Sequence, residues 1–355
     1  MTDFFNKVKQ HFQKNLPFVI YKKPNAELIN GLFQNDGKLI FSDNLSETGF
    51  VFSSFDTNKK ILIPKNNSLE ISTEFIEEKF TLNSKTESNL NKKTAKNNFE
   101  FIVSKAIQEI EKGTFSKVVL SREEIIDLPN FDLSSLFVKL ASTYPSAYTY
   151  CWFHPEIGLW MGATPEILIK VIGNKFQTVA LAGTQLYNGS EEVLWQNKEK
   201  DEQQLVTDYI IQILGNSVSE VQISVPKTIK AGNLLHLKTE IKGIVNANTK
   251  LNELVLLLHP TPAVGGLPKT NAIHFINENE DYNREFYTGY LGEINYNDNS
   301  ETDLYVNLRC MQIQRNNEVY NAHLYIGCGI TKESIPEKEW FETVNKAMTL
   351  KNVLL

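Results

Sequence analysis

The spacing of apolar residues changes period several times along the chain. Phe99, Val103, Ala106, Ile107 and Ile110 recur at helical spacing, and Gly113 follows as a stop. Lys117-Val-Val-Leu-Ser-Arg122 then alternates, which predicts a strand with Lys117, Val119 and Ser121 on one face. Further strands are predicted over residues 148–153, 158–162, 167–172 and 175–181. Gly173-Asn174 joins the last two and is a two-residue hairpin signal. A long helix is predicted over 191–214, its apolar face running through Leu205, Tyr209 and Ile213. Strands return at 234–245, 287–294, 304–314 and 319–326, with 315–318 turning the last pair. A closing helix is predicted from Ser334, which has capping-box spacing to Glu337, with Pro336 in the first turn. Hairpins outnumber strand–helix–strand units, so the predicted class is α+β with large antiparallel sheets.

Residues 83–98 are rich in Asn, Lys, Ser and Thr, carry no aromatic residue, and read as a linker. They divide the chain into an N-terminal part, 1–96, and a denser part, 97–355. The first shows short strands at 49–55 and 60–63 and no motif that carries chemistry. No internal repeat is visible.

Composition narrows the function classes. The chain has 355 residues, 41% apolar and 22% charged, which permits a large core in one large domain or two ordinary ones. The net charge is −6, and basic residues are interleaved with acids. This argues against nucleic acid, whose binding needs clustered Lys and Arg. Cys151, Cys310 and Cys328 are an odd number without CxxC spacing, so neither a disulfide framework nor a zinc site is expected. The first twelve residues hold no apolar run of signal-peptide length. Residues 254–258, the longest strongly apolar stretch, fall far short of the roughly 20 that span a bilayer. A soluble cytoplasmic protein without a membrane partner is expected.

Several polar residues stand where they invite a chemical reading. Helical counting back from Leu205 and Tyr209 places Glu202 and Lys198 on the apolar stripe, where an acid must be paired, protonated or bound to metal. A salt-bridged helix rim fits the same spacing. Glu339, Glu342 and Lys346 share one face of the closing helix. They fit either a solvated charged face or a hard-cation site, since magnesium takes one or two carboxylates and keeps several waters. In Gly162-Ala-Thr-Pro-Glu166 a strand breaks at Pro165, so Glu166 sits in a kink where a catalytic acid can be held. Lys117 opens an otherwise apolar strand; it is either a solubilising strand-edge lysine or a desolvated amine able to act as a base. His259-Pro-Thr-Pro-Ala-Val-Gly-Gly-Leu-Pro268 reads as a rigid turn leading into a helix. Gly327-Cys-Gly329 ends a strand, where paired glycines let backbone N–H groups approach an anion. Arg309, on the strand leading to that hairpin, can grip a carboxylate in bidentate fashion. By themselves these features point to a metal-assisted enzyme acting on a small anion.

Taken together the segments resemble the chorismate-binding family, which includes isochorismate, salicylate, anthranilate and aminodeoxychorismate synthases. The resemblance runs from about Asn97 to Leu355 in matching order. Its carriers are Phe115-Ser-Lys-Val-Val-Leu-Ser-Arg122, Gly162-Ala-Thr-Pro-Glu166, Ala180-Leu-Ala-Gly-Thr184 and residues 198–206. They continue with His236-Leu-Lys-Thr239, residues 259–268, Tyr287-Thr-Gly289, Gly327-Cys-Gly-Ile330, Glu339-Trp-Phe-Glu-Thr343 and Asn345-Lys346. Pro260-Thr-Pro-Ala-Val-Gly-Gly266 and Lys117 resemble the isochorismate synthases; the amine-forming members carry a different segment and lack this lysine.

The resemblance implies antiparallel sheets packed as a layered sandwich with flanking helices, as in anthranilate synthase component I. It implies a magnesium-dependent isomerisation of chorismate to isochorismate. Lys117 is then the base that activates water for C2, and Glu166 the acid that protonates the departing C4 hydroxyl. Glu202 and Glu342 bind magnesium directly, with Glu339 near it through water. Arg309, Lys346 and the backbone of Gly327 and Gly329 grip the enolpyruvyl carboxylate. Gly183, Thr184 and His236 lie by the ring, and Ala263 with Val264 shapes where water sits. The sequence departs from the family at Gln185, where Arg is common, and at Gln203, where His usually follows the metal ligand. A salicylate synthase, which also expels pyruvate, shares the same base, acid and metal ligands. A monomer is expected; with no fused carrier domain in view menaquinone is favoured as the destination of the product, with a siderophore as the alternative.

Overall fold

The computed structural model describes residues 1–80, 90–231, 234–297, 299–317 and 319–354. The chain divides into two compact units, each assembled from separated stretches. The first takes Met1–Glu78, Asp132–His259 and Glu285–Leu308; the second takes Lys79–Phe131, Pro260–Arg284 and Arg309–Leu355.

The first unit is a sandwich of antiparallel sheets. One contains β1 (Phe18–Lys22), β2 (Leu28–Gln34), β5 (Ser68–Glu74), β7 (Tyr148–His154) and β8 (Gly158–Thr164), in the order β8-β7-β1-β2-β5. The other contains β3 (Gly49–Ser53), β4 (Lys60–Pro64), β9 (Ile167–Ile172), β10 (Lys175–Leu186), β11 (Val218–Ile223), β13 (Leu234–Val245), β15 (Tyr290–Ile294) and β16 (Thr302–Val306). Its order is β11-β13-β10-β9-β16-β15-β3-β4, and β12 (Lys227–Ala231) also pairs with β13. Residues before Asn97 thus supply strands to both sheets.

An aromatic layer joins the two sheets. Tyr148 stacks on Tyr305 with centroids 4.2 Å apart, and Phe52 meets Trp152 at 4.7 Å. Strand alternation sends Tyr148, Tyr150 and Trp152 into this layer and Cys151 and Phe153 to the other face. That face is covered by α1 (Thr2–Gln13) and α3 (Leu133–Thr143), whose Phe12 packs on Phe153 and whose Phe137 meets Phe5. Cover on both faces explains why β7 reads as an almost continuous apolar run. Each such aromatic pair contributes about 0.5–1.5 kcal/mol beyond its area burial. Two further helices, α4 (Asn197–Leu214) and α5 (Leu251–Leu258), pack against each other, α4 also lying on β10 and β13.

The second unit holds one antiparallel sheet, made of β6 (Lys117–Leu128), β14 (Gly266–Leu267), β17 (Cys310–Asn316) and β18 (Val319–Ile330), in the order β14-β6-β18-β17. The β6–β18 register runs unbroken from Leu128↔Tyr320 to Val118↔Ile330. On one side α2 (Leu90–Glu111) packs against α7 (Pro336–Leu354), with Phe99 and Trp340 rings in contact. The helix α6 (Lys269–Asn279) meets the entry to β6 through Phe275 and Phe115.

The α+β class and antiparallel sheets are as predicted, and the Gly173-Asn174 hairpin joins β9 to β10 with Gly173 at φ +59°. Four expectations need correction. Residues 90–98 are helical rather than linker, while 81–89 lie outside the described residues; Lys96 bonds Glu337 at 3.0 Å, so the polar start of α2 is held by charge. The helix expected from 191 starts at Asn197. The strand expected over 304–314 is two strands. Between them Asn307 leaves the ladder, accepting from Tyr150 Oη at 2.6 Å and donating to Phe286 O at 2.9 Å, and Arg309 takes a left-handed φ of +48°. Ser334 Oγ accepts from Thr331 N at 3.1 Å and so closes the turn before α7. Cys151, Cys310 and Cys328 are buried and not joined in disulfides. Among the described residues no helix is long and apolar enough to cross a membrane.

Candidate active-site groups

In the second unit the site residues grow out of β6, β18 and α7. Alternation puts Lys117, Val119 and Ser121 on one face of β6. That face is covered: Lys117 is only 5% exposed, so the solubilising strand-edge reading fails. The reason it fits is Gly329, whose strand neighbour is Val119. A Cβ on Gly329 would lie 3.1 Å from Lys117 Cε and 3.7 Å from Nζ. The absent side chain leaves room for the end of the lysine chain, Cε above all. The Gly327-Cys-Gly329 segment ends a strand as expected, within β18, which runs to Ile330 rather than 326.

The segment after Pro260 closes the entry to β6. Val264 N and Gly265 N both donate to Thr261 O, at 3.0 and 2.9 Å, making a tight turn. Gly265 O accepts from Val119 N at 2.9 Å. Gly266, at φ +142°, is obligatory here: a Cβ would fall 2.2 Å from Lys117 O and 2.6 Å from Ala272 Cβ. Val264 is buried and Ala263 half-buried.

The opposite face of this sheet carries α7, because Arg122 on that face bonds Thr343 Oγ1 at 2.8 Å and lies over the Trp340 ring. Glu339 is 9% exposed and Glu342 half-buried. Lys346 Nζ is 2.6 Å from Glu342 and donates to Gly327 O at 3.1 Å. Arg309 Nη1 donates to Lys346 O at 3.4 Å. Burial first, then the charges of Glu342 and Glu339, push the Cys328 thiol well above its ordinary value, with Lys346 opposing. The structure therefore brings together Arg309, Gly327, Glu342 and Lys346, and separately Lys117 with Gly329.

In the first unit Glu166 sits in the kink between β8 and β9, as expected. Thr164 Oγ1 donates to Val306 O at 2.6 Å, and Val306 N donates to Glu166 O at 2.9 Å. The end of β16 thereby staples the kink, and Glu166 is 8% exposed. Gly183 lies at a register shift in β10 with φ +71°, which only glycine adopts readily; a Cβ would meet Glu199 Cβ at 3.2 Å. His236 Nδ1 lies 2.9 Å from Gly183 O. A carbonyl only accepts, so Nδ1 carries the hydrogen of this bond. The side chains of Thr184 and Lys198 lie outside the described ones.

The helix α4 corrects the reading of Glu202. Its buried face is Gln203, Val206, Thr207, Ile210 and Leu214, whereas Leu205 is 45% exposed. The stripe is rotated by one residue because two polar side chains donate hydrogen bonds inside. Gln203 Nε2 donates to Ala180 O and Thr239 Oγ1, both at 2.9 Å, and Thr207 Oγ1 donates to Gln203 O. Glu202 borders that face, half-buried, rather than sitting in it. Gln203, which replaces the family's usual histidine, thus anchors the helix turn that bears Glu202. Gln185 Nε2 donates to Leu194 O at 3.2 Å.

Two networks in the second unit carried no clear signal in the sequence. One is Arg122 with Glu124 and Lys351. The other is Glu280 with Arg284, four residues apart and just ahead of Tyr287-Thr-Gly289. Their spacing was visible; that both are buried was not.

Among the described residues no group of three or more His, Cys, Asp or Glu side chains gathers in a way that holds a metal. Glu339 and Glu342 nevertheless fit a hard cation, which takes one or two carboxylates and completes its shell with water.

The sequence matches the chorismate binding enzyme family over residues 51–355. It is 32% identical to isochorismate synthase EntC of Escherichia coli K12 over 267 residues, covering 72% of this chain and 66% of that protein. It is 29% identical to anthranilate synthase component 1 of Aeropyrum pernix over 278 residues, covering 74% and 60%. The matched stretch thus spans less than two thirds of either relative. The fold is similar to that of a Bacillus anthracis protein assigned as a 2,3-dihydroxybenzoate-specific isochorismate synthase, DhbC, with a TM-score of 0.79, 24% identity and 98% of each chain covered. With the matched region extending over most of its length, this chain belongs to the chorismate binding enzyme family.

Proposed function

We propose that the protein is a magnesium-dependent isochorismate synthase. The observation that carries this reading is that Lys117 is buried, with the end of its side chain packed against Gly329. Adding water needs a base; forming an amine from ammonia does not need one for water. In this reading Lys117 takes a proton from water as its oxygen bonds to C2. The ring double bond shifts, the C4–O bond breaks, and Glu166 gives its proton to the departing hydroxyl, which leaves as water. One water enters and one leaves, so the net change is an isomerisation. Holding Glu166 in a stapled kink suits an acid that must donate in one direction. Arg309 and Lys346 bind the enolpyruvyl carboxylate, and His236 orients beside the ring.

Glu202 and Glu342 would hold magnesium directly, with Glu339 through water. When bound, the ion supplies charge neutralisation for the ring carboxylate. The reading extends to a cytoplasmic monomer whose product feeds menaquinone; rescue of a strain lacking its own menaquinone-branch isochorismate synthase tests the last point.

The decisive experiment is purified protein with chorismate and magnesium, products separated by liquid chromatography. Isochorismate that vanishes with EDTA is expected, with Lys117→Gln and Glu166→Gln each lowering kcat by about 10²–10⁴. Salicylate with pyruvate would move the protein to the lyase branch. An ammonia-dependent aromatic amine would move it to the amine-forming branch, and unchanged chorismate would sink the reading.

A further inference from the structure

The outer edge of β6 is finished by an ion pair. β14 pairs with β6 only at Val118 and Lys117. Beyond it Val119 O accepts from Arg284 Nη2 at 2.7 Å, and Ser121 N donates to Glu280 Oε1 at 2.7 Å. Arg284 also reaches the turn, donating through Nη1 to Val264 O at 3.0 Å. The guanidinium and carboxylate face each other as a fork, with Nε to Oε2 at 2.7 Å and Nη2 to Oε1 at 2.6 Å. Ser121 Oγ adds a bond to Glu280, 2.8 Å long, and contacts Tyr282 Oη at 2.7 Å. The side chains of Arg284 and Glu280 are 3% and 2% exposed.

Stability alone is a weak account of such a pair. Removing two charges from water costs about as much as their attraction returns, and apolar residues of similar volume often serve as well. What an apolar pair cannot do is bond two separate backbone segments at fixed angles. The arginine plane does this for Val119 and Val264 at once. The same two segments carry Lys117 and the turn from Thr261 to Gly266.

We propose that Glu280 and Arg284 are positioning residues for the reaction. They fix the 261–266 turn against β6 and so set where the Lys117 amine and Val264 stand. This deepens the isochorismate synthase reading and rests on it. Neither residue needs to touch the substrate.

The test uses the full chain with Arg284→Lys, which keeps the charge but cannot span Glu280, Val119 and Val264 together. kcat for isochorismate formation is expected to fall at least tenfold while the chorismate KM stays within threefold and the protein remains folded. Amide exchange should quicken at Val119 and over 261–267 and nowhere else in β6. A folded Arg284→Lys protein with kcat within twofold of wild type overturns the proposal. So does a parallel loss of kcat, KM and melting temperature, which is what a structural role alone would give. Should that variant fail to fold, Glu280→Gln decides: its amide turns a donor toward Arg284 Nε, so the same split is expected, and unchanged kcat overturns the proposal. If the wild-type protein makes no isochorismate, the functional reading fails by itself. The exchange pattern then still decides whether the pair positions the turn.

Discussion

Replacing Gly329 by alanine should separate catalysis from stability. The added Cβ would sit 3.1 Å from Lys117 Cε. Carbon atoms settle at about 3.5–4.0 Å, so the lysine end must retreat by about 0.5 Å. Gly329 lies in a regular strand, where alanine is favoured over glycine by about 0.5–1 kcal/mol. That gain offsets the cost of bending a flexible side chain, and the net change in stability should stay within about 1 kcal/mol. The amine fares differently. If a 1 Å misplacement costs up to about 100-fold, half of it costs about tenfold in kcat. That is about 1.4 kcal/mol on the barrier. Steady-state isochorismate formation and urea unfolding of the same preparation measure both. Gly266→Ala is the contrasting variant. Its Cβ would lie 2.2 Å from a backbone oxygen, Lys117 O, at a φ of +142°. Neither can yield, so a loss of about 3 kcal/mol or more is expected. A Gly329→Ala protein with wild-type kcat would refute the placement of Lys117 as the base.

Gln203→Ala should lower stability by about 2–3 kcal/mol, since Ala180 O and Thr239 Oγ1 lose their buried donor; an unchanged urea midpoint would exclude this. Glu342→Gln with Glu339→Gln should weaken magnesium binding at least tenfold by calorimetry, and retained affinity would remove both from the metal site. The Glu124 carboxyl is pushed up by burial but held below its ordinary 4.5 by the Lys351 hydrogen bond and the Arg122 charge. A carboxyl depressed on folding stabilises above its unfolded pKa and loses that contribution as pH falls through the folded one. Thermal melts below pH 4.5 should therefore fall more steeply for wild type than for Glu124→Gln, and parallel curves would count against the pairing.

Much of the fold was legible because alternation and turn chemistry agree. β9 and β13 have the predicted limits, and the hairpin turns at Gly173-Asn174. Strand limits failed where side chains, not periodicity, end the ladder, as at Asn307. The start of α2 failed for a related reason: a helix held by ion pairs carries no apolar stripe to read. The stripe on α4 was misplaced by one residue because Leu205, Tyr209 and Ile213 look like a core face. The two hydrogen bonds from Gln203 Nε2 are what let the neighbouring face be the buried one. Burial of a polar residue depends on partners distant in sequence, Ala180 and Thr239 here, which local spacing does not contain.

The candidate site shows the same boundary between placement and role. Helical spacing correctly puts Glu339, Glu342 and Lys346 on one face, yet it cannot say how deep that face lies. The sequence left Lys117 open between a solubilising residue and a base, and both fit a lysine at the mouth of an apolar strand. What removes the solubilising reading is burial, aided by a glycine more than two hundred positions away that the β6–β18 register brings opposite Val119. In sequence Gly327-Cys-Gly329 looks like a backbone nest for an anion. In the ladder its two glycines work differently: Gly327 offers a carbonyl to Lys346, while Gly329 gives up a side chain so that Lys117 can be buried. Burying an amine costs its hydration unless hydrogen bonds or charges replace it, and the proposed proton-accepting role is what the isochorismate synthase reading assigns to a lysine so placed. The glycine, the lysine and the ion pair behind the strand therefore form one device, and loosening any of the three should reduce turnover before it reduces binding.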